Sequence, residues 1–205
     1  MKPLSSPMVA ALRLAFGLLV LAAVGTQLVQ HVRSGYNIVN FFSYFTNLSN
    51  LFAAVVLLMG AAASWTGSRP PGDLARAIAV VNMAVVGVVF AILLRNVDLG
   101  DLRPWVNTVL HYVMPCVVVI DWLLSPPKAK LGLKPFLRVL VIPVLYIGYV
   151  LVRGSLVQWY PYPFLNPMNV GGYSGVTAYV VGIAAAFIIA AGALLAIGNR
   201  PGRKA

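Results

Sequence analysis

Apolar residues fall into six long runs, at about 8–30, 41–64, 76–95, 105–125, 135–153 and 173–198. Each comes close to or exceeds the roughly 20 residues that an α-helix needs to cross a hydrocarbon core about 30 Å thick. The segments between them carry turn chemistry: "SRPPGD" (68–73), "NVDLGDLRP" (96–104), "SPPKAKLGLKP" (125–135) and "YPYPFLNPMNVGG" (160–172). The pattern predicts an all-α, polytopic membrane protein, with residues 1–205 forming a single six-helix transmembrane domain. No internal repeat suggests a duplicated transporter fold. The first run has a basic start, as a signal peptide does. Arg13 interrupts its apolar stretch, however, and the pattern continues to about Val32, so it reads as a retained helix.

Two runs break the apolar rule near their starts. The second opens "FFSYFTNLSNLF" (41–52). At about 100° per residue, Ser43, Thr46, Asn47 and Asn50 share an arc of roughly 100°, with Ser49 off its edge. Such a stripe must face protein or water, because lipid offers it no partner. In the fourth run Asn107 and His111 are four apart and share a face. Asp121 lies on about the same face but ten residues further on, about 15 Å away.

Both runs enter from the same side, and Thr46 and His111 each sit about six residues in, or roughly 9–10 Å deep. A hydroxyl level with an imidazole is the minimal set for nucleophilic acyl transfer, with histidine as base. In that role Asn107 orients the ring, and Asn47 or Asn50 polarises the carbonyl. Pro115 lacks the N–H that would bond the carbonyl of residue 111, so a kink is expected there. The competing reading is that Ser, Thr and Asn here are interhelical glue. His31 is expected to be solvated, Cys116 and the methionines to be packing residues, and Asn82 to be structural. Asp121, beside Trp122, is expected to reach the interface or pair with a loop lysine. Trp159, Tyr160, Tyr162 and Phe164 fit an interfacial aromatic belt. The same proline-stiffened segment could instead fold back as a lid, with Tyr162 or Asn166 donating to an oxyanion.

Composition agrees with the membrane reading: 60% of residues are hydrophobic and 9% charged, against about a quarter charged in soluble domains. Mean hydropathy is +0.89. A single cysteine excludes an internal disulfide or a multi-cysteine metal site. Two histidines and four acidic residues, all aspartate, argue against a protein-built metal centre, and no cofactor is implied. The net charge of +11 sits in short clusters between apolar runs, which sets orientation rather than nucleic-acid binding. With the N-terminus inside, eleven basic residues are cytoplasmic: Lys2, Arg13, Arg69, Arg76, Lys128, Lys130, Lys134, Arg138, Arg200, Arg203 and Lys204. Four (Arg33, Arg95, Arg103 and Arg153) are outside. Both termini are therefore expected in the cytoplasm.

Three segments in order, "FSYFTNLSNLF", "WVNTVLHYVMPCVVVIDWLL" and "YIGYVLVRGSLVQWYPYPFL", resemble the androgen-induced and androgen-dependent (TFPI-regulating) membrane protein family. The resemblance implies a polytopic hydrolase of fatty acid esters of hydroxy fatty acids, with a threonine early in one membrane helix and a histidine in a later one. Thr46 matches the threonine in its aromatic-apolar context. His111, Pro115 and Asp121 match the histidine segment, where the relatives carry glutamate at the last position. Tyr162, Pro163, Phe164 and Leu165 match a shared "YPFL". The chain departs from the relatives at Asn47, Asn50 and Tyr112, which points to a different substrate. Its compact Ala/Gly/Val-rich sequence suggests a bacterial cell membrane.

The sequence thus supports an intramembrane hydrolase of lipid-like esters, with membrane lipids as surroundings and a lipid-like ester as partner. A small transporter or lipid-binding scaffold with a polar cavity between the second and fourth runs is the alternative. The orientation is open to cysteine labelling in a Cys116→Ser background. A cysteine placed in 96–104 should react from the outside and one in 126–134 from the cytoplasm; reaction of the first from the cytoplasm alone would reverse the topology.

Overall fold

The computed structural model describes residues 7–98 and 100–199. Lys2, Arg200, Arg203 and Lys204, used in the charge count, lie outside the described residues. The elements are α1 (Pro7–Arg33), a short α2 (Ile38–Phe42), α3 (Phe45–Thr66), α4 (Asp73–Leu94), α5 (Pro104–Leu124), α6 (Leu133–Val157) and α7 (Tyr173–Gly198). Two 3₁₀ turns, Pro163–Leu165 and Pro167–Asn169, connect α6 to α7. Among the described residues six helices are long and apolar enough to span a membrane, and no strand occurs. A helix closes its backbone hydrogen bonds on itself, which is what an apolar medium demands.

Among the long helices α4 is the hub. It packs against α3, α5, α6 and α7, and 56% of its apolar window is buried. At the other extreme, α6 buries 11% and faces outward along most of its length. α1 packs chiefly along α3, close enough that a Cβ on Gly17 would lie 2.7 Å from Leu58. The predicted helix limits move at several points, most of all in the second run. There the chain is not one helix from 41: α2 ends at Phe42, Ser43 and Tyr44 form a break, and α3 starts at Phe45. The fifth helix extends to Val157 rather than 153, ending where Gln158 turns left-handed at φ 55°.

Two further departures from regular α-helix flank one level of the bundle. Phe90–Leu94 in α4 and Val109–Val113 in α5 are wound as π-helix, a feature common near functional sites. Gly87 lets α4 approach the α5 proline there, since an added Cβ would lie 3.1 Å from Pro115 Cβ.

The opposite end of the bundle is held by charge. Arg13 Nε donates to Asp121 Oδ1 at 2.6 Å, and Arg13 Nη2 to Ser125 Oγ at 2.9 Å. Arg76 lies 3.6 Å from Asp121 Oδ2, donates to the Ser125 carbonyl and stands over Trp122. Trp122 Nε1 donates to the Leu194 carbonyl at 2.9 Å. One carboxylate thus ties α1, α4 and α5 together, and the neighbouring indole adds α7. This corrects the expectation that Asp121 meets the interface or a loop lysine: a largely buried carboxylate needs cations beside it, and Arg13 and Arg76 supply them. Replacing Asp121 with Asn strands two largely buried guanidiniums and should cost about 3 kcal/mol or more. Thermal unfolding in detergent should show a larger drop for Asp121→Asn than for Ser125→Ala. Equal drops would mean the carboxylate is not the keystone.

Candidate functional site

The break at Ser43–Tyr44 leaves backbone groups without helical partners inside an apolar bundle. The polar residues of the stripe meet most of that demand. Ser43 Oγ donates to the Val39 carbonyl at 2.7 Å and contacts Tyr149 Oη at 2.8 Å. Tyr146 Oη donates to the Ser43 carbonyl at 2.8 Å. Asn47 Nδ2 donates to the Phe41 carbonyl at 2.9 Å, bridging α3 back to α2. Asn37 caps α2 through Val39 N–H. His31 is not merely solvated: Nε2 meets the Asn37 carbonyl at 2.9 Å, and the ring packs against Tyr36 and Phe41.

Asn50 serves a second irregular stretch. In the π-turn of α5, Met114 N–H bonds the Val109 carbonyl, so it is withdrawn from Leu110, its α-helical partner. The π-register partner of Leu110 would be residue 115, a proline without an N–H. The Leu110 carbonyl is therefore left open, and Asn50 Nδ2 fills it at 3.2 Å while also bonding the Thr46 carbonyl at 2.9 Å. Pro115 was expected to free the His111 carbonyl. The shift to π-winding opens the Leu110 carbonyl, one residue back, as an acceptor. Asn50 therefore joins the backbone at Thr46 to the backbone next to His111.

His111 is buried. Its ring stacks on Phe90 at 4.1 Å, and Nδ1 lies 3.2 Å from the Asn107 carbonyl. A carbonyl only accepts, so this contact places the proton on Nδ1 and leaves the Nε2 lone pair free. Asn107 thus acts through its backbone; its side-chain Oδ1 is buried without a hydrogen-bond partner among the described residues, as is Asn82 Oδ1.

Thr46 differs from its neighbours in the stripe. It sits in the first turn of α3, where an N–H has no intrahelical acceptor, and that N–H meets Tyr162 Oη at 3.3 Å. Among the described residues its hydroxyl braces no backbone group: Oγ1 lies 3.4 Å from Tyr162 Oη, and Thr46 lines a cavity of about 240 Å³. Tyr162, Phe164 and Leu165 of the α6–α7 connection also line that cavity, with Tyr162 stacked on Phe164. Asn166 is turned away from this work: its side chain accepts from Met168 N–H and starts the second 3₁₀ turn. Trp159 packs edge-on to Tyr44 and carries Arg153 over its face. Burial pushes the pKa of Tyr162 above the usual tyrosine value, so its phenol is an O–H donor at neutral pH.

The cavity otherwise presents apolar side chains from α3, α4, α6 and α7, with Tyr146 its third polar contributor. His111 is not on its wall. Among the described residues no hydrogen bond joins Thr46 and His111. Among those residues also, no cluster of histidine, cysteine or acid side chains could hold a metal ion. Sequence reasoning missed Tyr146 and Phe90, which lie in unbroken apolar runs.

These roles separate the stripe by stability. Asn50→Leu leaves the Leu110 carbonyl unsatisfied and should cost about 1–3 kcal/mol. Thr46→Val should cost less than about 1 kcal/mol. Similar losses in thermal stability at both positions would return Thr46 to the brace.

Comparison with curated proteins and with solved structures yields no match. The family profile described as FAR-17a/AIG1-like protein matches residues 88–196. That span is more than half of the chain and contains His111, Asp121 and Tyr162; Thr46 precedes it. It covers both π-wound segments and the connection that bears on Thr46, and on it the chain belongs to the FAR-17a/AIG1-like family.

Proposed function

We propose that this membrane protein hydrolyses lipid-like esters within the bilayer, with Thr46 as nucleophile and His111 as general base. The observation that carries the reading is the position of the Thr46 hydroxyl. It is spared from bracing backbone and lines an apolar cavity beside a phenol. The kinship with the androgen-induced family, whose members pair a threonine with a histidine, supports the same assignment. As further parts of the proposal, both termini are cytoplasmic, the chain is one six-helix domain, and the membrane is a bacterial cell membrane.

In the reaction, Thr46 Oγ1 attacks the ester carbonyl carbon and its proton passes to His111 Nε2 through a bridging water. The tetrahedral intermediate expels the alkoxide, which takes that proton and leaves as the alcohol. Water then attacks the acyl-threonine, again giving its proton to His111; the second tetrahedral intermediate expels the Thr46 alkoxide, which takes that proton back from His111, and the acid departs with both residues restored. The net change is ester plus water to acid plus alcohol. Tyr162 donates its O–H to the oxyanion, where a fixed donor is most useful. Asn50 holds α3 against α5, and the Asn107 carbonyl fixes the ring tautomer. The Asn50 amide hydrogens already bond two carbonyls, and Asn47 bonds Phe41. Tyr162 is therefore the better oxyanion donor.

A second reading is a lipid-binding protein without chemistry. The missing direct bond between Thr46 and His111 favours it, since an apolar cavity holds an acyl chain with or without catalysis.

Substitution distinguishes the two. Thr46→Ala should abolish hydrolysis of lipid esters by the purified protein, and Thr46→Ser should retain part of it. His111→Ala should be as inactive, with the double variant no worse, because members of a dyad act as a unit. Tyr162→Phe should lower kcat by about 10² with little change in KM. A fluorophosphonate should label residue 46 only when both Thr46 and His111 are present. Equal hydrolysis by wild type and Thr46→Ala would rule out Thr46 as the nucleophile, and no hydrolysis by the wild type above background would leave the binding reading.

A further inference from the structure

We infer that the cavity is an acyl-chain tunnel, fed from the bilayer through a side portal between α6 and α7. This deepens the hydrolase reading and rests on it for the position of the reacting carbonyl. Three of the lining residues are also on the outer surface of the bundle: Val144 on α6, and Ala184 and Ile188 on α7. Val144 is 65% and Ile188 52% exposed. A residue that both lines a cavity and faces outward marks where the cavity opens. In membrane-spanning helices that opening faces acyl chains, not water.

The portal lies away from the Thr46 end. Thr46 touches Tyr162, in the connection between the two helices, whereas Val144 and Ile188 are well along α6 and α7 from that connection. Lining residues of α7 run from Val180 to Ile188, about 12 Å at 1.5 Å per residue. Carbon–carbon bonds near 1.5 Å at a near-tetrahedral angle advance about 1.25 Å per carbon. Ala184 lies about 6 Å and Ile188 about 12 Å along α7 from Val180, so about five to ten chain carbons separate an ester held at Thr46 from the portal.

Local structure favours an opening here. α6 is the least buried span, and Pro143 within it lines the cavity and weakens the helix where the gap occurs. No charged side chain lines the cavity, and burying an unpaired charge there is prohibitive. The part of the substrate that enters is thus an uncharged ester with an alkyl chain. Chains longer than the tunnel extend back into the bilayer, so chain length has no upper bound.

The test uses the full chain in phosphatidylcholine vesicles with a palmitoyl ester carrying a mid-chain diazirine. Photolabel should map to residues 140–147 and 180–188, equally in wild type and Thr46→Ala. Ala184→Trp, or Val144→Trp from the other side, fills the portal from a lipid-facing position that tolerates bulk. Each should lower labelling and hydrolysis of p-nitrophenyl palmitate at least about tenfold, the order expected when apolar contact along a chain is lost. Each should lower turnover of p-nitrophenyl butyrate, which does not reach the portal, by a much smaller factor. Labelling elsewhere, or undiminished labelling in both filled variants, overturns the tunnel. Labelling at the tunnel without turnover of either ester upholds it and sinks the chemistry proposed for Thr46.

Discussion

An interrupted backbone inside an apolar bundle must be satisfied by side chains, and this one demand organises the structure around α3 and α5. The chain breaks at Ser43–Tyr44, and α5 winds into a π-turn ahead of Pro115. Each irregularity exposes carbonyls that neither lipid nor the local helix can meet. Ser43, Asn47, Asn50 and Tyr146 meet them with hydrogen bonds. Asn50 bonds the first turn of α3, just past the break, and the π-turn of α5 at once, which ties the two stretches together.

That coupling has chemical consequences. A break in the helix presents the N–H and hydroxyl of Thr46 in a first turn, facing the connection that carries Tyr162, rather than flat against a neighbouring helix. π-winding turns His111 onto Phe90 and hands its Nδ1 to the Asn107 carbonyl. The ion cluster of Arg13, Asp121 and Arg76 closes the far end of the bundle. With α1, α4 and α5 clamped there, α6 can remain loosely packed, and the cavity forms beside it. Rigidity and opening are thus assigned to different helices.

The sequence revealed the six spans, because the composition of a membrane helix is nearly sufficient to define it. It also offered, beside an interfacial aromatic belt, a 160–166 segment stiffened by prolines at 161 and 163 and folded back over the level of Thr46, and Tyr162 does contact Thr46. The break at Ser43–Tyr44 was invisible: neither residue is a helix breaker, and the break is held by tertiary bonds from Tyr146 and Asn47. The partners of Asp121 were hidden for a similar reason. Arg13 is 108 positions away, and a charge count that assigns it to a cytoplasmic face cannot show it paired. Of the four stripe residues, spacing alone gave no way to tell the hydroxyl at 46 from the braces at 43, 47 and 50. Only their acceptors distinguish them.

On the proposed chemistry the Thr46 hydroxyl, which among the described residues braces no backbone group, is the group that reacts. Acid-quenched mass spectrometry of the protein, mixed briefly with a long-chain ester, reads this out. An acyl adduct on Thr46 should form and decay on the timescale of turnover and be absent in His111→Ala. Steady turnover of the ester with residue 46 unmodified at every quench time, in a protein where an acyl group is found on another side chain, would contradict it.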